Sequence, residues 1–146
     1  MARGLKKAPP APWPSVVLDT EGLWAVARNS SEDANALLAA SSKAGVPVLV
    51  SAAVLAETLH GDARDARAHQ VLKKLEVVPV TDGIARAAAR LKQAAGMSGV
   101  AATIDAVVVA TSEAAGGGVI LTSDPGDIRA LADCVPDRRI RPVRVS

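Results

Sequence analysis

The sequence predicts an α/β fold, a three-layer α/β/α arrangement around a mostly parallel central sheet of about five strands. Two observations carry this. Short β-branched runs without polar alternation, such as "SVVL" and "GVILT", recur along the chain, as strands buried on both faces do. Between them lie segments with apolar residues at helical spacing, and strand–helix alternation makes neighbouring strands parallel. A third observation adds a location. The first run ends on Asp19 with Glu21 close behind, and the run at Val119–Thr122 is followed by Ser123, Asp124 and Asp127. Open parallel sheets bind ligands at the carboxyl ends of their strands, beside the point where strand order reverses.

In chain order, Ser15–Asp19 is the first strand, and a short helix follows through Leu23, Trp24 and Val26. Ser30 is placed to cap the next helix, with Glu32 and Asp33 in a first turn where the helix dipole favours acids. Ala34, Leu37 and Leu38 form its apolar stripe, and Gly45 stops it. Val46–Val50 is the second strand, with Pro47 tolerable only near its start. Ser51 caps a helix carrying Val54, Leu55 and Leu59 that ends near Gly61. A charged helix covers Arg64–Leu75, and the third strand is Val77–Val80. Thr81 or Asp82 caps a helix that turns Ile84, Ala88 and Leu91 inward. "AAGMSGVAAT" reads as a loop with two glycines, after which Thr103 begins a very apolar helix reaching Glu113. Gly116–Gly118 turns the chain into the fourth strand, a last helix covers Pro125–Cys134, and Arg141–Val145 is an edge strand.

A chain of 146 residues with 49% hydrophobic content and a mean hydropathy of +0.23 suits one globular domain. No uninterrupted apolar run approaches the roughly 18 residues of a membrane span. Residues 1–14, "MARGLKKAPPAPWP", hold four prolines where a signal peptide needs its apolar segment. They read as a flexible arm on a cytoplasmic protein, with residues 15–146 as the domain. The single cysteine, Cys134, agrees with a reducing compartment. One Cys and two His, His60 and His69, offer no thiolate–imidazole metal spacing. With no Phe, no Tyr and only Trp13 and Trp24, the chain lacks an aromatic stacking sheet for nucleic acid, so any such contact rests mainly on phosphates. The balance is 17 basic against 15 acidic residues. With four acids gathered in one site, the remaining surface would carry 17 basic against 11 acidic residues, an acidic pocket on a basic rim; taken alone, the balance is better read as a mildly basic protein whose charges keep it soluble.

Two further acids stand in unusual company. Asp105, in "TIDAVVVAT", lies in the expected first turn of a helix otherwise built of Ala, Val and Ile, and Glu57 lies one turn beyond Ala53 and Val54. A half-buried carboxylate needs a cation or dense hydrogen bonds. Each acid also has a purely structural explanation. Asp105 could answer the helix dipole, Glu57 could be solvated, and Asp124 could cap the helix begun by Pro125. Taken together, acids with no supporting Cys, His or Tyr suit Mg²⁺ or Mn²⁺, which bind oxygen ligands and phosphate oxygens. Such ions activate water for phosphoryl displacement without a side-chain nucleophile, and neither a G-x-S-x-G nor a P-loop motif is present.

"VVLDTEGLW", "SAAVLAETLHG" and "TIDAVVVATSEAAGGGVILTSDPGDI", in that order and spacing, resemble the PIN-domain nucleases, and within them the VapC-type toxins of toxin–antitoxin pairs. The resemblance runs from about Ser15 to Val145. It implies a PIN fold with Asp19, Glu57, Asp105 and Asp124 as the acids that hold Mg²⁺ or Mn²⁺. It further implies hydrolysis of RNA to 5′-phosphate and 3′-hydroxyl ends, a homodimer formed through helix faces, and an antitoxin protein that fills the acidic groove. Leu23, Trp24 and Leu72–Leu75 are the candidate contact surfaces. One position departs from the family pattern: after Asp19-Thr20 a small polar residue is customary, and this chain has Glu21. Thr122 and Ser123 could orient ligand or water by hydroxyl contact or equally satisfy local backbone, whereas Asp127 reads as a helix-dipole acid.

Two other readings compete. A PIN fold can keep its shape and serve only to bind RNA or protein. "LDTEG" is also similar to the start of haloacid-dehalogenase-like phosphatases, but those need Asp where this chain has Glu21, and a lysine for which no position here is a good match. Arg138, Arg139, Arg141 and Arg144 could contact RNA or simply protect an edge strand from aggregation. Arg64, Arg67, Lys73 and Lys74 read as a solvated helix face.

Overall fold

Val16–Leu18 (β1), Val48–Ser51 (β2), Glu76–Val78 (β3), Gly118–Thr122 (β4) and Ile140–Arg144 (β5) form one sheet in the order β3-β2-β1-β4-β5. Every pairing is parallel. The structure, a computed structural model, describes residues 13–136 and 139–145. The uninterrupted β-branched runs occupy the middle of the sheet, where both faces are covered. Val16, Val17, Leu18, Val50, Val119, Ile120 and Leu121 have no exposed surface. Each contributes about 1.5–3 kcal/mol by leaving water.

Helices Thr20–Ala27 (α1), Glu32–Lys43 (α2), Ala52–Thr58 (α3), Ala66–Leu72 (α4), Asp82–Ala95 (α5), Val100–Ala114 (α6) and Pro125–Ala132 (α7) cover the sheet. The apolar α6 crosses β1, β2, β4 and β5, with α5 and α7 packed against it. Against β1 and β4 lies α1, which gathers α2, α3 and α4. The three-layer α/β/α reading therefore holds. No single helix among the described residues is long and apolar enough to cross a membrane.

The topology creates the site's position. The chain lays β1, β2 and β3 outward to one side, then returns to place β4 and β5 on the other side of β1. Strand order reverses between β1 and β4, where Leu18 is level with Leu121 and the Asp19 N–H donates to the Leu121 carbonyl at 3.2 Å. Gly22 lets α1 start tightly against that strand end. A Cβ there would stand 2.4 Å from the Leu121 carbonyl oxygen, well inside contact distance.

Several boundaries differ from the sequence expectations, each for a local reason. Ser31, not Ser30, caps α2, accepting the Ala34 N–H at 3.1 Å. Pro47 precedes β2 and serves through its carbonyl, which accepts from Val16 N–H at 3.0 Å. The expected helix Arg64–Leu75 is broken. A 3₁₀ turn at Ala63–Asp65 precedes α4, and Lys73–Leu75 lie beyond its end. At the third strand, Glu76–Val78 replaces Val77–Val80. The largest correction concerns α6, which begins at Val100 after Gly99 (φ +97°), not at Thr103. Inside that helix, the Thr103 hydroxyl donates back to the Gly99 carbonyl at 3.0 Å, so it cannot act as a cap. Trp13, assigned to the flexible arm, is buried in the core. The rest of that arm, residues 1–12, and Arg138 lie outside the described residues.

Candidate active site at the strand switch point

Asp19, the residue after β1, is the N-cap of α1. Its Oδ1 accepts the Gly22 N–H at 2.7 Å, and the residue is 8% exposed. Burial pushes its carboxyl above the usual range. The Thr122 hydroxyl and the Gly22 N–H pull it back, and neighbouring Glu21 pushes it up again. The same Thr122 hydroxyl, at the end of β4, accepts the Asp124 N–H at 3.1 Å. One threonine thereby joins the two strand-end acids. Asp124 occupies the N-cap position of α7, but its side chain makes no capping bond. The explanation that Asp124 merely caps this helix therefore fails, and its exposed carboxylate is left at the cleft.

Glu57, near the end of α3, is exposed and accepts a hydrogen bond from the Thr20 hydroxyl on α1. Asp105 is half-buried and projects from the second turn of α6, because that helix starts at Val100. The first-turn dipole explanation for Asp105 goes with the corrected boundary. Its carboxyl is instead pushed up to about 6, first by burial and then by the charges of Asp19, Asp127, Glu57 and Asp124. Five carboxylates thus act on one space.

That space is a cleft of about 340 Å³ lined by Asp19, Thr20, Glu21, Glu57, Ile104, Asp105, Thr122, Ser123 and Asp124. All four acids selected from the sequence line it, and among the described residues no Lys or Arg does. Glu21 stands on its rim. Its acids are spread over the walls: among the described residues, no three His, Cys, Asp or Glu side chains are grouped so that they could together hold a metal ion. This arrangement suits Mg²⁺ or Mn²⁺ in one respect, since Mg²⁺ is commonly held by one or two carboxylates with waters and substrate phosphate completing the shell.

Asp127 was undervalued in the sequence. It does not line the cleft, yet after Asp19 it is the charge that most raises Asp105. The Pro-Gly step from Asp124 into α7 was the available signal. Leu23 is the opposite case: with no exposed surface it cannot be a contact surface for a partner. Leu75 and Val71 do line an apolar groove with Val26, Leu38 and Val48.

Arg64 and Arg67 are exposed, as expected of a solvated face, although Arg64 lies in the 3₁₀ turn and not in a helix. With Arg28, Trp24 and His60 they line a cleft of about 500 Å³ that adjoins the acidic one through Thr20, Glu21 and Glu57. At the other rim, Arg144 at the end of β5 reaches the Ser123 carbonyl at 3.3 Å.

A parallel sheet of this order, with acids at its switch point, defines an α/β protein with an acidic cleft at the carboxyl ends of its strands. The PIN domain family profile matches residues 16–133, and the chain belongs to that family. No curated protein matches it in sequence. The structure is similar to that of VapBC2 from Rickettsia felis bound to a DNA fragment from its promoter, with TM-score 0.65 and 12% identity, covering 90% of this chain and 98% of that one. FitAB bound to the IR36 DNA fragment gives 0.62 and 21%, covering 88% and 94%. A toxin–antitoxin complex from Klebsiella pneumoniae gives 0.62 and 17%, covering 90% and 100%. At these identities the likeness is one of fold.

Proposed function

We propose that this PIN-domain protein is a Mg²⁺- or Mn²⁺-dependent ribonuclease of the cytoplasm that hydrolyses RNA phosphodiester bonds, and that it is the toxin of a toxin–antitoxin pair. One observation carries the nuclease reading. Carboxylates from the ends of two strands and from two helices face one cleft that no basic side chain lines among the described residues, and burial together with their repulsion raises Asp105 to about 6. Such a cluster is costly to ionise unless a cation joins it.

Asp19 and Asp105 would hold the ion, with Glu57 and Asp124 completing its direct or water-bridged surroundings. When bound, Mg²⁺ or Mn²⁺ lowers the pKa of water and offsets charge on phosphate oxygens. The protein's own groups set this up. Gly22 N–H and the Thr122 hydroxyl fix the Asp19 carboxylate, and the Thr20 hydroxyl holds Glu57. Without a cation, Asp105 relieves the crowding by keeping a proton on its carboxyl in mildly acidic solution.

The antitoxin reading is supported by family membership and by the toxin–antitoxin complexes among the similar structures. We infer a homodimer and a cognate antitoxin, with the groove beside Leu72–Leu75 as a contact surface. Sequencing the cut ends of RNA incubated with the purified protein tests the central reading. Cleavage with 5′-phosphate and 3′-hydroxyl ends is expected in Mg²⁺ or Mn²⁺ and none in EDTA. Equal cleavage in EDTA would contradict it. RNA binding without cleavage under any divalent ion would favour a PIN fold that only binds.

A further inference from the structure

We propose that the cleft beside the acids is a subsite for single-stranded RNA, where the Trp24–Arg28 pair stacks a base and Arg28 and Arg67 hold the flanking phosphates. The proposal rests on the ribonuclease reading and adds how the substrate would be positioned.

Trp13 is buried in the core, so in a chain without Phe or Tyr the half-buried Trp24 is the only indole with accessible surface, and the exposed His60 ring stands beside it. It lies on α1, one turn after Thr20, on the wall of a cleft of about 500 Å³. That volume falls within the roughly 300–1,000 Å³ of small-molecule sites. The Arg28 guanidinium lies 4.7 Å from the ring centroid, and the His60 ring stands 6.4 Å away. Bases stack on indole and on guanidinium planes alike, so this pair is a small stacking surface.

The charges divide into two kinds. Arg64 is already held fork-on by Asp62, at 3.0 and 2.8 Å, and its charge is matched. Arg28 and Arg67 have no carboxylate partner among the described residues. His60 is held in place by buried Asp65, whose carboxylate accepts the His60 and Gly61 N–H groups at 2.9 and 2.7 Å and lies 3.2 Å from His60 Nδ1. Thr58, on the same wall, has a buried hydroxyl with no hydrogen-bond partner among the described residues. Because Thr20, Glu21 and Glu57 line both clefts, a strand whose phosphate sits at the acids passes directly to the arginines. Neither cleft alone accounts for both a cation site and a polyanion; side by side they fit an RNA strand crossing from one to the other.

The test is binding of a fluorescein-labelled single-stranded oligoribonucleotide to the full chain in EDTA, followed by anisotropy over a range of salt. Trp24→Ala should weaken binding by about ten-fold or more, and Trp24→Phe should restore most of it. Arg28→Ala with Arg67→Ala should lower the slope of log affinity against log salt by about 1.4. Arg86→Ala, on α5 outside the cleft, should change little. Unchanged affinity and slope in the Trp24 and arginine variants would overturn the proposal. So would an acidic peptide whose binding needs Trp24 and both arginines when RNA binding does not, which would assign the cleft to a protein partner. Measured without metal, the result is independent of cleavage. Loss of binding in these variants of a protein that cuts nothing would sink the nuclease reading alone, and unchanged binding in a protein that cuts RNA would sink this proposal alone.

Discussion

Two clefts share the wall formed by Thr20, Glu21 and Glu57, yet different parts of the fold build them. The acidic cleft is a product of topology: Asp19 and Asp124 follow β1 and β4, whose neighbouring carboxyl ends mark the reversal of strand order. Its side chains are fixed from beneath by Thr122 and Gly22, and its inner acid is half-buried on the core helix α6. The basic cleft is a product of local turns. Its arginines are exposed, and its shape depends on Asp65 gathering the N–H groups of His60 and Gly61 between α3 and α4. The difference separates two kinds of work. The buried acids can be tuned by one another, as Asp105 shows, whereas the exposed arginines act as screened charges that steer and hold.

The largest effect that would sharpen this contrast is on cleavage. Asp19→Asn or Asp105→Asn keeps side-chain shape and removes charge, so RNA cleavage should fall by about 100-fold or more. Affinity for RNA should persist, because it rests on the basic side. Cleavage assays beside binding titrations check this, and a variant that loses binding as completely as cleavage would merge the two clefts into one function.

Next in size is the close approach on which the acidic cleft depends. Gly22→Ala places a methyl against the Leu121 carbonyl oxygen and should cost about 1–3 kcal/mol, seen as a lower urea midpoint. Gly83→Ala, whose new Cβ would meet nothing closer than 3.9 Å, should be neutral or slightly stabilising. Equal destabilisation of both would show that α1 does not need its tight seat on β4.

A smaller effect concerns pH. The Asp105 carboxyl has an ordinary value of 3.8 and a folded value of about 6. Between those values the folded protein holds a proton that the unfolded chain has released, so metal-free stability should fall as pH rises through that window. Asp105→Asn removes the penalty. Because Asp105 is only half-buried, the gain should be about 1 kcal/mol at neutral pH, and it should vanish below about pH 4. Urea unfolding in EDTA at several pH values measures it. A pH-independent gain would point to packing in place of charge. The smallest effect is expected for Arg144→Ala, which loses one exposed contact to the Ser123 carbonyl and should change stability by roughly 0.5 kcal/mol or less.

The two clefts also differ in how readable they were. Unbroken runs such as "GVILT" mark strands covered on both faces, and their ends locate Asp19 and Asp124 before any helix is placed. Asp105 was visible as a lone acid among Ala, Val and Ile, but its turn within α6 was not. Gly99 starts the helix without a side-chain cap, and periodicity carries no mark of that. Trp24 reads, with Leu23, as part of a protein contact surface, since spacing does not separate a buried position such as Leu23 from one on a cleft wall. Arg64 and Arg67 read as a solvated face because the break at Ala63–Asp65 comes from one buried carboxylate, Asp65, whose bonds to backbone N–H groups leave no trace in the hydrophobic pattern.

The most direct measurement of the central claim is anomalous diffraction from crystals of the full chain grown or soaked in Mn²⁺. The account predicts a Mn²⁺ peak inside the acidic cleft, between Asp19 and Asp105, with Glu57 and Asp124 bound directly or through water. The peak should be lost in Asp105→Asn crystals. Mn²⁺ found only at surface sites of wild-type crystals, with no peak in the cleft, would contradict it.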